Sequence, residues 1–165
     1  MKLKIGIFDS GIGGFTILKS LLKTRKDVEV FYLADTKRIP FGNKNFKEIR
    51  VIAKEICIFF EDKNLDALLI ACNTTNACAL DVLENKLCIP CFDLINSVVE
   101  EIDRKIIGVL ATQTTVRSSY YKNAIRSKKG TNFFCNNSYL FKTFVPKGNF
   151  FCISQIKNLN IITCL

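Results

Sequence analysis

Short apolar runs alternate with amphipathic stretches over the first 128 residues, and this alternation constrains the fold more than any other feature of the chain. The apolar runs have the length and composition of strands buried on both faces; they are residues 3–8, 28–33, 67–71, 89–92 and 106–110. Between them, apolar residues recur at helical spacing with lysine and glutamate opposite, as in residues 15–22, 46–56 and 77–83. Alternating strands and helices predict βαβ units, and hence an α/β fold with a parallel sheet flanked by helices.

The alternation stops after about residue 128, where the composition changes. Residues 130–165 contain six phenylalanines, six asparagines and no acidic residue, and they show neither a helical nor a strand period. We therefore divide the chain into a first α/β domain at residues 1–95, the start of a second at 96–128, and a divergent or irregular tail at 129–165. Because the alternation halts before a second sheet is complete, we expect the chain to be truncated or frame-disrupted after about residue 128.

Charge and hydropathy exclude several classes of protein. The net charge is +9, yet every acidic residue lies at or before Asp103, and the ten lysines and arginines after it are scattered. They form no helix face and no series interleaved with aromatic residues, so we expect no nucleic-acid partner. No apolar stretch approaches the ~20 residues of a membrane span, and Asp9 interrupts the first apolar run before it could serve as a signal peptide. We expect a cytoplasmic protein that does not bind membranes.

The chain contains eight cysteines and no histidine. A chain of 165 residues can bury a core and does not need a disulfide scaffold. Cys88 and Cys91 form a C-x-x-C pair, but no second pair follows at the spacing of a zinc ribbon. We therefore expect no metal site.

Four polar clusters follow the predicted strands, and ligands of parallel sheets bind beyond that end of the strands. The first, residues 9–16, reads D-S-G-I-G-G-F-T; its glycines permit a tight turn, and the N–H groups at the start of a helix attract an anion. A dinucleotide-binding fingerprint is the rival interpretation, with Asp35 in the ribose position. It fails because the third glycine of G-x-G-x-x-G would be Thr16, and because Asp9 would repel a pyrophosphate.

The other three clusters each have two interpretations. Residues 35–44 form either a solvated loop or, through Pro-Phe-Gly, a shaped lid over a small ligand. In residues 71–76, Cys72 is either a buried residue at a helix start or a thiol that gains thiolate character from the helix N-terminus. The threonines in residues 111–116 either cap a helix or contact a ligand.

Taken together, D-S-G-I-G-G, P-F-G, A-C-N-T and T-x-T-T, in this order at the strand ends, resemble the glutamate racemase family from about residue 4 to residue 121. The resemblance implies an isomerase, an amino-acid racemase that interconverts L- and D-glutamate for peptidoglycan and cell-wall biosynthesis. It implies two α/β domains that face each other across the site, of which the second is incomplete here. Two cysteines, one on each face of the substrate, would act without a cofactor, and a homodimer is compatible with the resemblance.

By position, the resemblance makes Cys72 the acid/base on one face of the α-carbon. Asp9 would orient or tune a thiol or the substrate ammonium, and Phe41 stands where the family usually has tyrosine. The full set of residues that the resemblance implies to bind substrate is Asp9, Ser10, Phe41, Gly42, Asn73, Thr74, Thr112, Thr114 and Thr115.

The family's second cysteine lies in a G-C-T-H-Y-P-like segment that this sequence does not contain. Cys135, Cys152 and Cys164 have different neighbours, so we expect little or no racemisation. Two alternatives remain open: another racemase of the aspartate/glutamate superfamily, and a non-catalytic remnant or binding module that keeps half of a dicarboxylate site.

Overall fold

The computed structural model describes residues 2–102, 106–127, 132–137 and 160–164. Its first sheet has four parallel strands in the order β2-β1-β3-β4. These are β1 (Leu3–Asp9), β2 (Val28–Ala34), β3 (Ala67–Ile70) and β4 (Cys91–Asp93). The parallel sheet that the apolar runs predict is therefore confirmed, with strand ends that differ by at most two residues.

Helices cover both faces of this sheet, as predicted; they are α1 (Phe15–Thr24), α2 (Phe46–Glu61) and α3 (Asn73–Leu87). Ile5 and Ile7 of β1 pack towards α1, whereas Phe8 packs into the larger core formed with α2 and α3. The start of α2 is fixed by a capping box, in which Asn45 and Glu48 each accept the other's backbone N–H. Two short 3₁₀ turns, Thr36–Arg38 and Phe41–Asn43, connect β2 to α2.

A second sheet is built around β5 (Ile106–Ala111), with strand order β6-β5-β7. Both neighbours, β6 (Asn132–Asn137) and β7 (Asn160–Cys164), pair with β5 in parallel. The prediction of an irregular tail at residues 129–165 is thus wrong for these two segments. Their asparagines are poor strand formers, and strand pairing through backbone groups overrides that local preference. The other residues of the tail, 129–131, 138–159 and 165, lie outside the described residues.

Three further helices surround the second sheet: α4 (Leu94–Glu100), α5 (Gln113–Arg117) and α6 (Tyr120–Ser127). One buried cluster joins Ala77 of α3 to Ile95, Val109 and Ile125. The two sheets therefore share a core, although the division near residue 95 stays a prediction. Among the described residues, no helix is both long and apolar enough to cross a membrane.

Candidate active site

The carboxylate of Asp9 lies at the end of β1, where the chain turns into α1. Asp9 is 6% exposed, and its Oδ2 accepts the N–H of Gly14 at 2.9 Å and that of Gly11 at 3.3 Å. The anion expected at the start of this helix is thus supplied, at these two N–H groups, by the chain itself. These two hydrogen bonds fix both the conformation of the loop between β1 and α1 and the position of the Asp9 carboxylate.

Gly14 is required by close packing. A Cβ at this position would lie 2.7 Å from the hydroxyl oxygen of Tyr32 and 2.9 Å from the Cβ of Asp9. Burial, together with the charge of Asp9, raises the pKa of Tyr32 to about 12. Tyr32 therefore stays protonated, and its hydroxyl donates to the carbonyl of Gly11 at 3.4 Å.

Cys72 lies at the end of β3, immediately before the first residue of α3. Its side chain is buried, and its Sγ is 3.3 Å from the hydroxyl oxygen of Ser10, to which the thiol donates. The loop after β1 and the turn after β3 thus meet through these two side chains. Because β1 and β3 are neighbouring parallel strands, their ends lie at the same edge of the sheet.

Burial raises the pKa of the Cys72 thiol above its ordinary value. Ser10 and Thr75 act in the opposite direction, because their polar groups could donate hydrogen bonds to the charged form of the sulfur, and the nearby charge of Asp9 raises the pKa further. Of the two interpretations of Cys72, burial therefore favours a buried residue at a helix start, and thiolate character stays a prediction. The cost of removing a thiolate from water exceeds the benefit of the surrounding donors.

Asn76 lies in the polar cluster of residues 71–76 but was not among the candidate site residues. Its side chain is 1% exposed, and its Nδ2 donates to the carbonyls of Ile70 at 2.7 Å and Cys72 at 3.2 Å. These bonds hold the turn from β3 into α3. In the sequence, the position of Asn76 among the buried residues of α3 is what could have indicated a hydrogen-bonded side chain.

The turn Phe41–Asn43 is fixed to the segment that follows β5. The hydroxyl oxygen of Thr114 lies 2.8 Å from the carbonyl oxygen of Gly42 and 2.7 Å from that of Lys44, so that its one proton is shared between these two acceptors. Phe41 is buried in the core, where its ring lies 6.3 Å from that of Phe8. Thr114 therefore holds the backbone of the turn Phe41–Asn43, and Phe41 packs in the core. The roles of both residues as substrate contacts stay predictions.

Three threonine hydroxyls form a closed triangle between the two sheets. Oγ1 of Thr74 is 3.1 Å from that of Thr112 and 3.2 Å from that of Thr115, and the latter two are 3.0 Å apart. Thr74 belongs to α3, whereas Thr112 and Thr115 lie just after β5. The triangle joins the Cys72 turn to the second sheet.

Asn73 forms a second link between the sheets, because its Oδ1 accepts the hydroxyl of Tyr121 at 2.9 Å. Tyr121 lies in α6 and is buried. Sequence motifs gave no indication of this residue, since the bond joins positions 48 residues apart.

All of the predicted site residues lie in one connected region, although their individual roles stay predictions. The region is formed by the loops after β1, β3 and β5 and by the turn Phe41–Asn43. Its members are Asp9, Ser10, Phe41, Gly42, Cys72, Asn73, Thr74, Thr112, Thr114 and Thr115. Within the described residues no group of histidine, cysteine and acidic side chains could hold a metal ion. The five cysteines with described side chains are free thiols.

A cavity of about 210 Å³ lies on the side of the second sheet. Thr115, Tyr121 and Lys122 line it, and the first two also form hydrogen bonds with Thr74 and Asn73. The cavity thus lies against the residues that join the two sheets.

Known proteins similar to the chain are named glutamate racemases, although no protein-family model matches it. The protein from Prochlorococcus marinus (strain NATL1A) is 52% identical over 131 residues, 79% of this chain and 49% of its own length. The crystal structure from Campylobacter jejuni has 39% identity and a TM-score of 0.78, covering 86% of this chain and 59% of that one. The structure from Francisella tularensis in complex with D-glutamate has 34% identity and a TM-score of 0.83, covering 89% and 57%. The chain therefore spans between about half and three fifths of the length of these relatives.

Proposed function

The chain belongs to the glutamate racemase family over the part of its relatives that it spans, and we propose that it carries one acid/base half of a site that interconverts L- and D-glutamate. In this proposal the thiol of Cys72 exchanges a proton with one face of the α-carbon. The product, D-glutamate, serves peptidoglycan biosynthesis, as the family resemblance implies. No cofactor takes part, because the thiol itself is the base.

The observation that carries the proposal is the position of Cys72. Its buried sulfur lies at the start of α3, 3.3 Å from Ser10 and within the electrostatic influence of Asp9. A thiol in a water-poor site, with hydrogen-bond donors at hand, suits proton transfer to and from carbon near neutral pH. No other thiol among the described side chains lies beside a carboxylate and a hydroxyl in this way.

Substrate binding would bring a positive charge to the site. The ammonium group of glutamate would pair with Asp9 and offset the negative charge that raises the pKa of Cys72. Cys72 must first release its thiol proton to solvent. The thiolate then accepts the α-proton: the Cα–H bond breaks, an S–H bond forms, and the electron pair stays on the substrate. Donors on Ser10, Asn73 and Thr74 would stabilise the charge that develops on the substrate carboxylate.

Inversion of the α-carbon needs a second base on the opposite face. Cys135, Cys152 and Cys164 lack the neighbours of the family's second cysteine, and we assign that role to none of them. With Cys72 alone, a proton is removed from one face and returned to the same face. We therefore propose that the 165 residues exchange the α-proton of one enantiomer with solvent and produce little inversion.

Deuterium incorporation tests this proposal. Proton NMR of L- or D-glutamate in heavy water should show loss of the α-proton of one enantiomer without formation of the other. C72S should abolish the exchange, because a hydroxyl is too weak a base near neutral pH. C88S is the matched control, since Cys88 is an exposed thiol at the other end of α3. Exchange that survives in C72S would contradict the proposal, and glutamate binding without exchange would favour a binding module.

We also propose that the protein is cytoplasmic and forms a homodimer; both proposals rest on the resemblance to the family. Fractionation of cells and sedimentation of the purified chain test them.

A further inference from the structure

Asn73 follows Cys72 directly, yet its side chain is hydrogen-bonded to Tyr121 of α6, a helix that packs with the second sheet. The ring of Tyr121 is buried beside Ile95, Val109 and Ile125, and its hydroxyl donates to Oδ1 of Asn73 at 2.9 Å. We propose that Tyr121 is a positioning residue, whose hydroxyl orients the Asn73 amide so that its NH2 group faces the carboxylate of the substrate. This inference rests on the proposed function of the site.

The chemistry of the amide gives the bond its importance. An asparagine side chain presents an acceptor oxygen at one end and two N–H donors at the other, and rotation about its terminal bond exchanges them. A carboxylate accepts hydrogen bonds only, so the wrong rotamer would place oxygen against oxygen. Tyr121 engages the oxygen, which leaves both N–H donors for a ligand. Within the described residues the Asn73 side chain makes no other hydrogen bond.

The position of the hydroxyl is well defined because the ring that carries it is packed in the core. Tyr121 is 4% exposed, and a buried ring with two side-chain torsions has little freedom to move. Asn73 itself is half-buried at the start of α3, where nothing else among the described residues fixes its amide. The orientation of a donor next to Cys72 is thereby set by α6 of the second sheet.

Y121F tests the proposal, since it removes the hydroxyl and keeps the ring in the core. We expect it to weaken glutamate binding roughly five- to tenfold. The exchange rate at saturating glutamate should change far less, because Cys72 is untouched. N73A should weaken binding at least as much, and Y121F/N73A should bind like N73A alone. Losses that add in the double variant would overturn the proposal, because Tyr121 would then act on the fold and not through Asn73.

A second measurement needs no substrate and separates failure of this inference from failure of the proposed function. The side-chain NH2 signals of Asn73 can be assigned in a nitrogen-correlated NMR spectrum by their loss in N73A. Without glutamate, Y121F should shift and broaden these two signals. Y120F is the matched control, because the Tyr120 hydroxyl bonds Asn96 and not Asn73. Unchanged Asn73 signals in Y121F would overturn the inference, even if the chain binds glutamate. Absence of glutamate binding with shifted signals would overturn the proposed function, and with it the carboxylate as the partner of the amide, but not the orientation of Asn73 by Tyr121.

Discussion

Gly42 and Thr112 are packed so closely that no side chain fits between them. A Cβ on Gly42 would lie 2.4 Å from the Cβ and 2.6 Å from the Cγ2 of Thr112. Gly42 belongs to the turn Phe41–Asn43, and Thr112 is the residue that precedes α5. Their contact sets the distance between the turn and the second sheet, and hence the shape of the site between them.

G42A should force these segments apart. We expect a loss of about 1–3 kcal/mol in the free energy of unfolding, the usual cost of overpacking, together with weaker glutamate binding, because Thr112 and its hydrogen bonds are displaced. Urea denaturation measures the first effect. G11A is the control, since a Cβ at Gly11 meets nothing within 4 Å. Equal losses in G42A and G11A would show that the close packing has no energetic consequence.

The pKa of Cys72 should respond in opposite directions to two neighbouring substitutions. The charge of Asp9 raises this pKa and the Ser10 hydrogen bond lowers it, so D9N should lower it and S10A should raise it. Carbon NMR of isotope-labelled cysteine follows the titration without requiring access to the buried sulfur. D66N is the control, because Asp66 accepts a backbone N–H near the other end of β1. A shift in the same direction for D9N and S10A would refute this account of the thiol.

The chain should lose stability as the pH rises above about 9. Burial raises the pKa of Cys78 to about 12 and that of Cys91 to about 11, from an ordinary value of 9.0. Above pH 9 the unfolded chain therefore releases protons that the folded chain retains, so the free energy of unfolding falls with pH until the folded thiols titrate. Urea denaturation between about pH 7 and about pH 11 should show this decline. The slope should be shallower in C78A and in C91A, and a flat profile would contradict the prediction.

Arg50 should contribute more to stability than its exposure suggests. It bonds both carboxylate oxygens of Asp81 at 2.7 Å and also the carbonyl of Cys78 at 3.3 Å. Ala79, the next residue, has a non-helical backbone that interrupts α3. Arg50 therefore donates a hydrogen bond to a carbonyl beside that interruption. We expect R50A to lower the free energy of unfolding by about 1 kcal/mol.

R25A provides the comparison for Arg50. The Arg25–Asp27 pair is exposed and local in sequence, so no measurable loss is expected. A loss in R25A as large as that in R50A would show that the carbonyl of Cys78 is not what makes Arg50 important.

The first sheet could be predicted from the sequence because its strands are buried on both faces. Such strands are continuous apolar runs, and the run at residues 3–8 therefore predicts β1, which spans Leu3–Asp9, to within one residue. The strand β6 carries asparagine at three of its six positions, where a strand pattern favours branched or aromatic side chains, and the apolar run in β7 is only two isoleucines long. Their pairing with β5 is a long-range backbone interaction, and local pattern does not report it.

The sequence predicted side chains that lie close together in the structure, but not the interactions among them. Motifs at strand ends indicated Asp9 and Cys72, since neighbouring parallel strands end at the same edge. They gave no role to Asn76, whose hydrogen bonds hold the turn before α3, and they did not indicate Tyr121, whose bond to Asn73 depends on the packing of α6 against α3. The thiolate interpretation of Cys72 omitted the cost of burial, which raises the pKa of the thiol.

The triangle of Thr74, Thr112 and Thr115 also sets a limit that follows from counting protons. Three hydroxyl groups own three protons, and a closed ring of three hydrogen bonds uses all of them. A carboxylate that accepts from any member must therefore take a proton out of the ring and open one of its sides. Two of the three sides join Thr74 to the second sheet, so a ligand held by the hydroxyl of Thr74 is bound at the expense of a bond that ties the two sheets together.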